Sequence, residues 1–219
     1  MKYKLVAFWL IVFGALFAFL QMCFEYHFYY IEQSQLFLFS EAYIRNKLLL
    51  PGGFSMLVAE FLVQFFIRPY VGALVTAVLL TGVGVCTAGI VKRIAPVSGL
   101  FILYVLPMLA LLFMHFDFNY RVQGTVCYLM TMALLCGYMR IRNDLFRLVA
   151  GCVLVPVLFW LAGSITVLFA GMVCLFEGLR KTPKWYISLI GVAEVLLLGV
   201  GTAVSYTHLR AHETLSDLV

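Results

Sequence analysis

The sequence contains few charged residues. Only 11% of its 219 positions are charged, 15 basic and 10 acidic, whereas 64% are hydrophobic and the mean hydropathy is +1.05. Soluble domains carry about a quarter charged residues, so this chain has too little polar surface to cover itself in water. The shortage of charge excludes a soluble globular protein and predicts an all-α integral membrane protein.

The excess of basic residues does not indicate a nucleic-acid partner. The net charge is +5, but Lys and Arg occur in short clusters between apolar runs. Such clusters are typical of the cytoplasmic ends of membrane spans. We therefore expect the lipid bilayer as a partner and no nucleic acid, while the sequence does not indicate any protein partner.

Cysteine motifs are also missing. The sequence has no CxxC spacing. This pattern favours small buried thiols that pack between helices over metal ligands or disulfides. The six cysteines are Cys23, Cys86, Cys127, Cys136, Cys152 and Cys174.

Apolar runs dominate the chain instead. A bilayer core about 30 Å thick needs about 20 helical residues. On this basis we predict seven spans, of which the two short ones form a hairpin that turns at Gly163-Ser164. The predicted spans are 5–23, 70–91, 98–113, 122–138, 148–162, 165–176 and 185–204.

This arrangement places most basic residues on one side. Ten of the Lys and Arg residues fall inside and four fall outside, as the positive-inside rule requires. We therefore expect one polytopic domain, 1–204, in the bacterial inner membrane with a cytoplasmic N-terminus. The inside positions are 2, 4, 92, 93, 140, 142, 147, 180, 181 and 184, and the outside positions are 45, 47, 68 and 121.

The outer loop 25–68 is too charged to span and too apolar for an ordinary loop. We predict two juxtamembrane amphipathic helices in it, the first over 33–50, separated by the Pro51-Gly52-Gly53 turn. The run 54–91 would reach about 57 Å as one helix, so it is predicted to break at Arg68-Pro69. Glu60 and Gln64 form a polar stripe on the second amphipathic helix, which we expect to face water.

Polar side chains in two outer loops are candidate site residues. Glu32 lies in the first loop, and Asp117 lies in the second between His115 and Arg121. Such groups bind a divalent cation or an anionic phosphate. The alternative is that these loops are polar only because water surrounds them. The prediction assigns catalysis to Glu32 and Asp117 and substrate binding to His115 and Arg121.

Glu194 is a candidate of another kind. It lies in the middle of the last predicted span, within "LIGVAEVLLLGV". An intramembrane acid costs at least about 2.5 kcal/mol and is usually protonated, paired or functional. We expect either a proton or ion path at Glu194 or a partner supplied by further helices.

The segment 205–219 differs abruptly from the rest. "SYTHLRAHETLSDLV" is polar and resembles the translation of a sequencing adapter. We therefore expect a tail foreign to the protein, a truncation near residue 204, and no metal site at its two histidines.

The loop motifs resemble a known group of proteins. The long first loop, "LPGG" at 50–53 and "FLVQFFIRPYVGAL" at 61–74 are similar to the N-terminal part of an uncharacterised family of bacterial multi-span membrane proteins. That family is known mainly from Bacteroidetes and has no established activity. The resemblance covers about residues 5–120.

The layout also resembles, more loosely, multi-span lipid-dependent glycosyltransferases of the GT-C type. In these enzymes, acids in the first two outer loops hold a metal or act as a base beside a polyprenyl-phosphate sugar. The resemblance implies catalysis by Glu25 or Glu32 with Asp117, a divalent cation as cofactor and a polyprenyl-phosphate lipid as partner. Neither loop contains the paired DD, DE or DxD motif of such sites.

Three hypotheses for the function follow. The first is a cell-envelope transferase that uses a lipid-phosphate-linked donor at the outer face. The second is a transporter or flippase in which Glu194 and the short hairpin line a pathway. The third is a membrane scaffold whose interfacial helices contact other envelope proteins.

Overall fold

The computed structural model describes residues 2–94, 101–183 and 185–216, and every regular element in these ranges is helical. Three short 3-10 helices, Gln64–Ile67, Gly163–Ile165 and Trp185–Ile187, interrupt the α-helices. The α-helices are α1 (Lys2–Cys23), α2 (Glu25–Ser34), α3 (Glu41–Leu48), α4 (Gly53–Val63), α5 (Val71–Ile94), α6 (Phe101–Met114), α7 (Val122–Tyr138), α8 (Asp144–Ala162), α9 (Thr166–Arg180) and α10 (Ser188–Ser216).

Four helical stretches are long and apolar enough to cross a membrane, judged by length and composition: Tyr3–Cys23, Val71–Ile94, Asp144–Arg180 and Trp185–Thr202. Further apolar helical stretches are shorter and comprise Gly53–Ile67, Ile102–Met114 and Val122–Tyr138. An all-helical fold with membrane-spanning candidates is therefore confirmed. The count of seven spans stays a prediction, and the predicted start of the third span, 98–100, lies outside the described residues.

Helix α5 packs against α1, α6 and α7 in one half of the bundle. Its small residues permit close approach, since a Cβ added at Gly84 would lie 2.6 Å from the Trp9 ring. Ala77 and Leu80 on the same helix are fully buried. Lipid tails are as apolar as these side chains, so close packing of small against large residues is what holds such helices together.

Helices α8 and α9 form the predicted hairpin. In one continuous helix, Arg147 and Glu177 would lie about 45 Å apart, yet their side chains are in contact at 2.6 Å. Gly163, with φ +74°, begins the 3-10 turn that reverses the chain. The apolar stretch Asp144–Arg180 is thus two antiparallel helices.

The glycine turn after α3 docks onto this reversal. Gly52 has φ +75°, and its N–H donates to the Trp160 carbonyl at 2.9 Å. The Trp160 indole N–H donates back to the Leu48 carbonyl at 2.7 Å. A Cβ at Gly52 would lie 3.2 Å from the Gly163 backbone, so glycine serves both the left-handed backbone and the close contact.

Helix α4 differs from the prediction. The chain does break around Arg68-Pro69, because α5 begins only at Val71. The polar stripe, however, does not face water: Glu60 pairs with α3, and the Gln64 amide donates to the Phe37 carbonyl at 2.9 Å. The opposite face of α4 packs on α7 and α8, so the stripe is covered and satisfied by neighbouring segments rather than by solvent.

The rest of the first loop also differs from two amphipathic helices. The predicted helix 33–50 contains the end of α2, a non-helical stretch and the short α3. Helix α2 was not predicted. At the other end of the chain, α10 continues to Ser216 without a break at residue 204, and the foreign origin of 205–219 stays a prediction.

The bundle has two chemically different ends. One end carries residues 24–70, 115–121 and 163–165, and we name it the loop end. The other carries residues 92–94, 139–147 and 177–183, and we name it the basic end, because its described positions include seven Lys or Arg residues and two acids.

Candidate functional site

A cavity of about 250 Å³ opens at the loop end between α3, α4 and the start of α7. Its polar lining includes Tyr43, Lys47, Glu60, Arg121 and Gln123. Glu60 Oε1 accepts a hydrogen bond from Lys47 Nζ at 2.9 Å, and Oε2 accepts one from the Tyr43 hydroxyl. The side chains of Lys47 and Glu60 are only 23% and 13% exposed, so this ion pair is partly shielded from water.

Helical spacing explains how these groups meet. Tyr43 and Lys47 are four residues apart on α3, and Met56 and Glu60 are four residues apart on α4, so each pair lies on one face of its helix. Ser40 begins α3 by accepting the Tyr43 N–H at 3.3 Å, as N-cap serines do. The cavity is therefore built where two short helices turn their polar faces toward each other.

The electrostatics of this cavity favour an anion. Burial, followed by the hydrogen bond to Glu60 and its negative charge, raises the pKa of Tyr43 to about 12. Tyr43 thus stays protonated at neutral pH and donates to the carboxylate. Arg121 makes no ion pair or side-chain hydrogen bond with the residues that the structure describes. The cavity lining thus contains two cations, Lys47 and Arg121, and one carboxylate, Glu60. One positive charge therefore remains available for a ligand.

His115 lies beneath the loop end, with 2% of its surface exposed. Its Nε2 is 2.9 Å from Thr125 Oγ1, and the Tyr120 hydroxyl is 3.2 Å from the same oxygen. Burial, and next the neighbouring His27, lower the pKa of His115 to about 4. His115 is therefore a neutral, buried group at pH 7, and its predicted role in substrate binding stays a prediction.

His27 packs beside it. Burial lowers the pKa of His27, and the nearby Asp117 carboxylate and the backbone of His115 offset part of this effect. Neither ring nitrogen has an aligned hydrogen-bond partner in the described part of the chain. The Phe118 ring covers the imidazole at 4.7 Å between centroids, so aromatic packing surrounds this histidine.

The predicted catalytic acids lie on segments that touch. Tyr30 on α2 contacts Phe118 with ring centroids 5.7 Å apart, which brings the first and second loops together. The Glu32 side chain is half-buried and makes no hydrogen bond or ion pair within the described ranges, and the Asp117 side chain is exposed and accepts the Asn119 N–H at 2.9 Å. No described residue bridges the two carboxylates, and their shared site stays a prediction. Arg121 lies instead in the Glu60 cavity.

An ion pair at the basic end was missed from the sequence. Arg147 donates from Nε and Nη2 to the two Glu177 oxygens at 2.6 and 2.8 Å, and neither side chain is exposed. The Tyr138 hydroxyl also donates to Glu177, at 2.9 Å, and Thr182 accepts from Arg147 at 3.3 Å. The available signal was an acid beside an apolar run, but the predicted span ended one residue earlier, at Phe176.

Glu194 lies within Trp185–Thr202, one of the stretches that are long and apolar enough to cross a membrane. Its side chain is half-buried, and its Oε2 is buried without a hydrogen-bond partner among the described residues. Helix α10, which carries Glu194, packs against α8. The structure thus places this acid between α10 and α8.

The six cysteines are free thiols of different exposure. Cys127 is buried, Cys23 is exposed and the other four are half-buried, so the predicted burial holds fully for Cys127 and not for Cys23. Among residues 2–94, 101–183 and 185–216, no group of three or more His, Cys, Asp or Glu side chains is arranged to hold a metal ion. The predicted divalent cation therefore has no multi-ligand protein site in these ranges.

Comparisons with known proteins identify the family and nothing finer. No curated protein and no solved structure matches the chain. A family model matches residues 1–216, almost the whole sequence, and its description states no function. The chain therefore belongs to the family of unknown function DUF6057.

Proposed function

We propose that this chain is a membrane-embedded transferase that holds a lipid-phosphate-linked donor at the Glu60 cavity. The observation that carries the proposal is a half-buried carboxylate, held by Tyr43 and Lys47, beside the unpaired guanidinium of Arg121. A phosphate needs cationic donors such as Arg and Lys, and group transfer to a hydroxyl needs a proton acceptor. The cavity combines both requirements, a partly shielded carboxylate and an exposed guanidinium.

Each group has a role in this proposal. Arg121 and Lys47 bind the donor phosphate, and Glu60 accepts the proton of the attacking hydroxyl. The donor is a sugar linked to a lipid phosphate. The attacking hydroxyl oxygen bonds to the sugar carbon that carries the phosphate, the bond from this carbon to the phosphate oxygen breaks, and the lipid phosphate leaves with the electron pair. Tyr43, which stays protonated, holds the carboxylate in position.

Apolar surface beside the cavity supports a lipid-linked donor. Phe61 and Phe65 on the same side of the chain are each 41% exposed, and Ile67 is 60% exposed. Phe61 adjoins Glu60 in the sequence, and we propose that the hydrocarbon chain of the donor lies against this exposed surface while its phosphate enters the cavity. The positive-inside rule supports an inner-membrane location with the N-terminus in the cytoplasm and the loop end outside.

Two readouts test the proposal. With the purified chain in nanodiscs, Arg121→Gln should weaken polyprenyl phosphate binding about tenfold, because one charge-assisted contact is lost. Glu60→Gln should keep that binding but abolish complementation of a strain lacking the gene. Glu32→Gln and Asp117→Asn are the matched comparison. Full complementation by Glu60→Gln would exclude it as the proton acceptor, and loss of function with Glu32→Gln or Asp117→Asn alone would favour the sites predicted from sequence.

A transporter is the second candidate, supported by the unpartnered Glu194 oxygen inside a membrane-spanning stretch. Such acids are often parts of proton or ion paths. Proton flux into liposomes that contain the protein, lost in Glu194→Gln and retained in Glu60→Gln, would favour transport over transfer.

A further inference from the structure

The basic end contains a larger cavity that the proposed transferase does not use. It measures about 590 Å³, within the range of about 300–1,000 Å³ typical of ligand sites. Arg93 from the end of α5, Arg140 and Arg142 from the α7–α8 connection, and Arg180 from the end of α9 line it. Three segments that are distant in sequence thus bring four arginines to one cavity.

The charges of these arginines are only slightly compensated. The guanidinium groups of Arg140 and Arg142 make no hydrogen bond or ion pair with the residues that the structure describes. Arg93 donates only to the Cys136 carbonyl at 3.3 Å. Arg180 lies 3.6 Å from Asp144, but that carboxylate is shared with Arg147 at 2.9 Å. Glu177, the other acid nearby, is fully engaged by Arg147. Among the described residues, no acid lines the cavity itself.

The buried ion pair holds the cavity walls in place. Arg147 bonds Glu177 on α9 and also donates to the Ile141 carbonyl at 3.2 Å. Ile141 lies between Arg140 and Arg142, so the same guanidinium fixes the connection that carries them relative to α9. The α7–α8 connection and α9, which carry three of the four arginines, are therefore held in fixed relative positions. This reduces the conformational entropy that is lost when a ligand binds.

The other half of the lining is apolar. Ile94, Met139, Phe176 and Leu179 face the cavity, and α5 and α9, which end here, belong to membrane-spanning stretches. A cavity at this depth meets lipid headgroups. Basic pockets between membrane helices bind the phosphates of anionic lipids, whose chains need an apolar surface. A free phosphate would use the arginines but would leave this apolar wall exposed to water.

We propose that this cavity binds the phosphate headgroup of an anionic membrane lipid, with Arg93, Arg140, Arg142 and Arg180 as phosphate ligands. The site lies at the opposite end of the bundle from the Glu60 cavity and is independent of any transfer reaction. It is a second lipid site, selective for negative charge.

The test uses the full chain in detergent with added phosphatidylglycerol or cardiolipin, and with phosphatidylcholine as the neutral lipid. Native mass spectrometry should show that the protein retains the anionic lipids, and thermal unfolding should show that these lipids stabilise it. Arg140→Gln/Arg142→Gln should weaken this binding at least about tenfold, because two charge-assisted contacts are lost. Arg140→Lys/Arg142→Lys should restore part of it, since charge returns without the forked geometry.

The matched control is Arg45→Gln/Arg68→Gln, which removes the same charge from exposed positions at the loop end. Equal loss in both double Gln variants would show a general charge effect and overturn the proposal. Sodium phosphate is the second arm. If it displaces the lipid and protects the protein as well as lipid does, the site takes free phosphate and the lipid assignment is wrong.

Discussion

At the scale of single residues, the protonation of His115 at the loop end is coupled to folding. His115 is buried with its Nε2 near Thr125 Oγ1, and its pKa of about 4 lies below the ordinary value of 6.5. The folded protein therefore binds a proton at His115 less readily than the unfolded chain does. A neutral imidazole is part of the native packing, together with His27 and Asp117.

This difference predicts acid sensitivity. The contribution of His115 should be complete above pH 6.5 and should be lost as the pH falls from 6.5 to 4, by up to about 3 kcal/mol, since one tenfold change in a protonation equilibrium is worth about 1.4 kcal/mol. Thermal unfolding in detergent across this range measures it. His115→Gln should flatten the profile relative to the parent, whereas an unchanged profile would show that other groups cause the acid sensitivity.

At the scale of elements, the Arg147–Glu177 pair joins three helices. Arg147 lies in the first turn of α8, Glu177 lies in the last turn of α9, and Tyr138 at the end of α7 donates to the same carboxylate. Breaking one partner of a buried pair leaves an uncompensated charge, which costs far more than the pair itself contributes. The hairpin and its neighbour α7 should therefore depend on both charges being present.

Glu177→Gln is the direct test, because it keeps an acceptor for Tyr138 while it removes the negative charge. We expect a loss on the order of 3–5 kcal/mol in the free energy of unfolding, and recovery of most of it in Arg147→Met/Glu177→Leu. Asp144→Asn is the control, since this partly exposed partner of Arg147 should contribute about 1 kcal/mol or less. Equal effects of Glu177→Gln and Asp144→Asn would contradict a dominant buried pair.

At the scale of the whole molecule, the two ends of the bundle should lie on opposite sides of the membrane. The loop end is held together by the contact between Gly52 and the α8–α9 turn. The basic end collects cations from α5, the α7–α8 connection and α9. Since cationic ends stay in the cytoplasm, we predict that the basic end is cytoplasmic and the loop end lies on the other side of the membrane.

Cysteine labelling tests this orientation. In a chain whose native cysteines are replaced, Asn119→Cys should react with an impermeant reagent from the periplasmic side, and Lys181→Cys only after permeabilisation. Both positions are exposed, so burial does not limit either reaction. Labelling of both from one side would refute the hairpin topology, and labelling of Lys181→Cys alone from outside would invert it.

What the sequence by itself determined was the class of protein and the places where the chain bends. Charge content and apolar runs indicate a helical membrane protein, because hydropathy sums local properties. The break near Pro69 was predicted because a ring without an N–H acts on the backbone where it stands. The reversal at Gly163 was predicted because it keeps the basic clusters on one side of the membrane. The pairing of Gly52 with Gly163, 111 positions apart, needed the folded chain.

Only the tertiary structure decided which polar groups meet. Glu60 was expected to face water but pairs with Lys47; Arg147 and Glu177 meet across 30 residues; and four arginines from three segments share one cavity. In a helix that is apolar all round, core-facing and lipid-facing positions look alike, so periodicity does not encode the rotation of the helix. That rotation, and the depth of each helix relative to its neighbours, set the distances between side chains, and both arise from packing between helices.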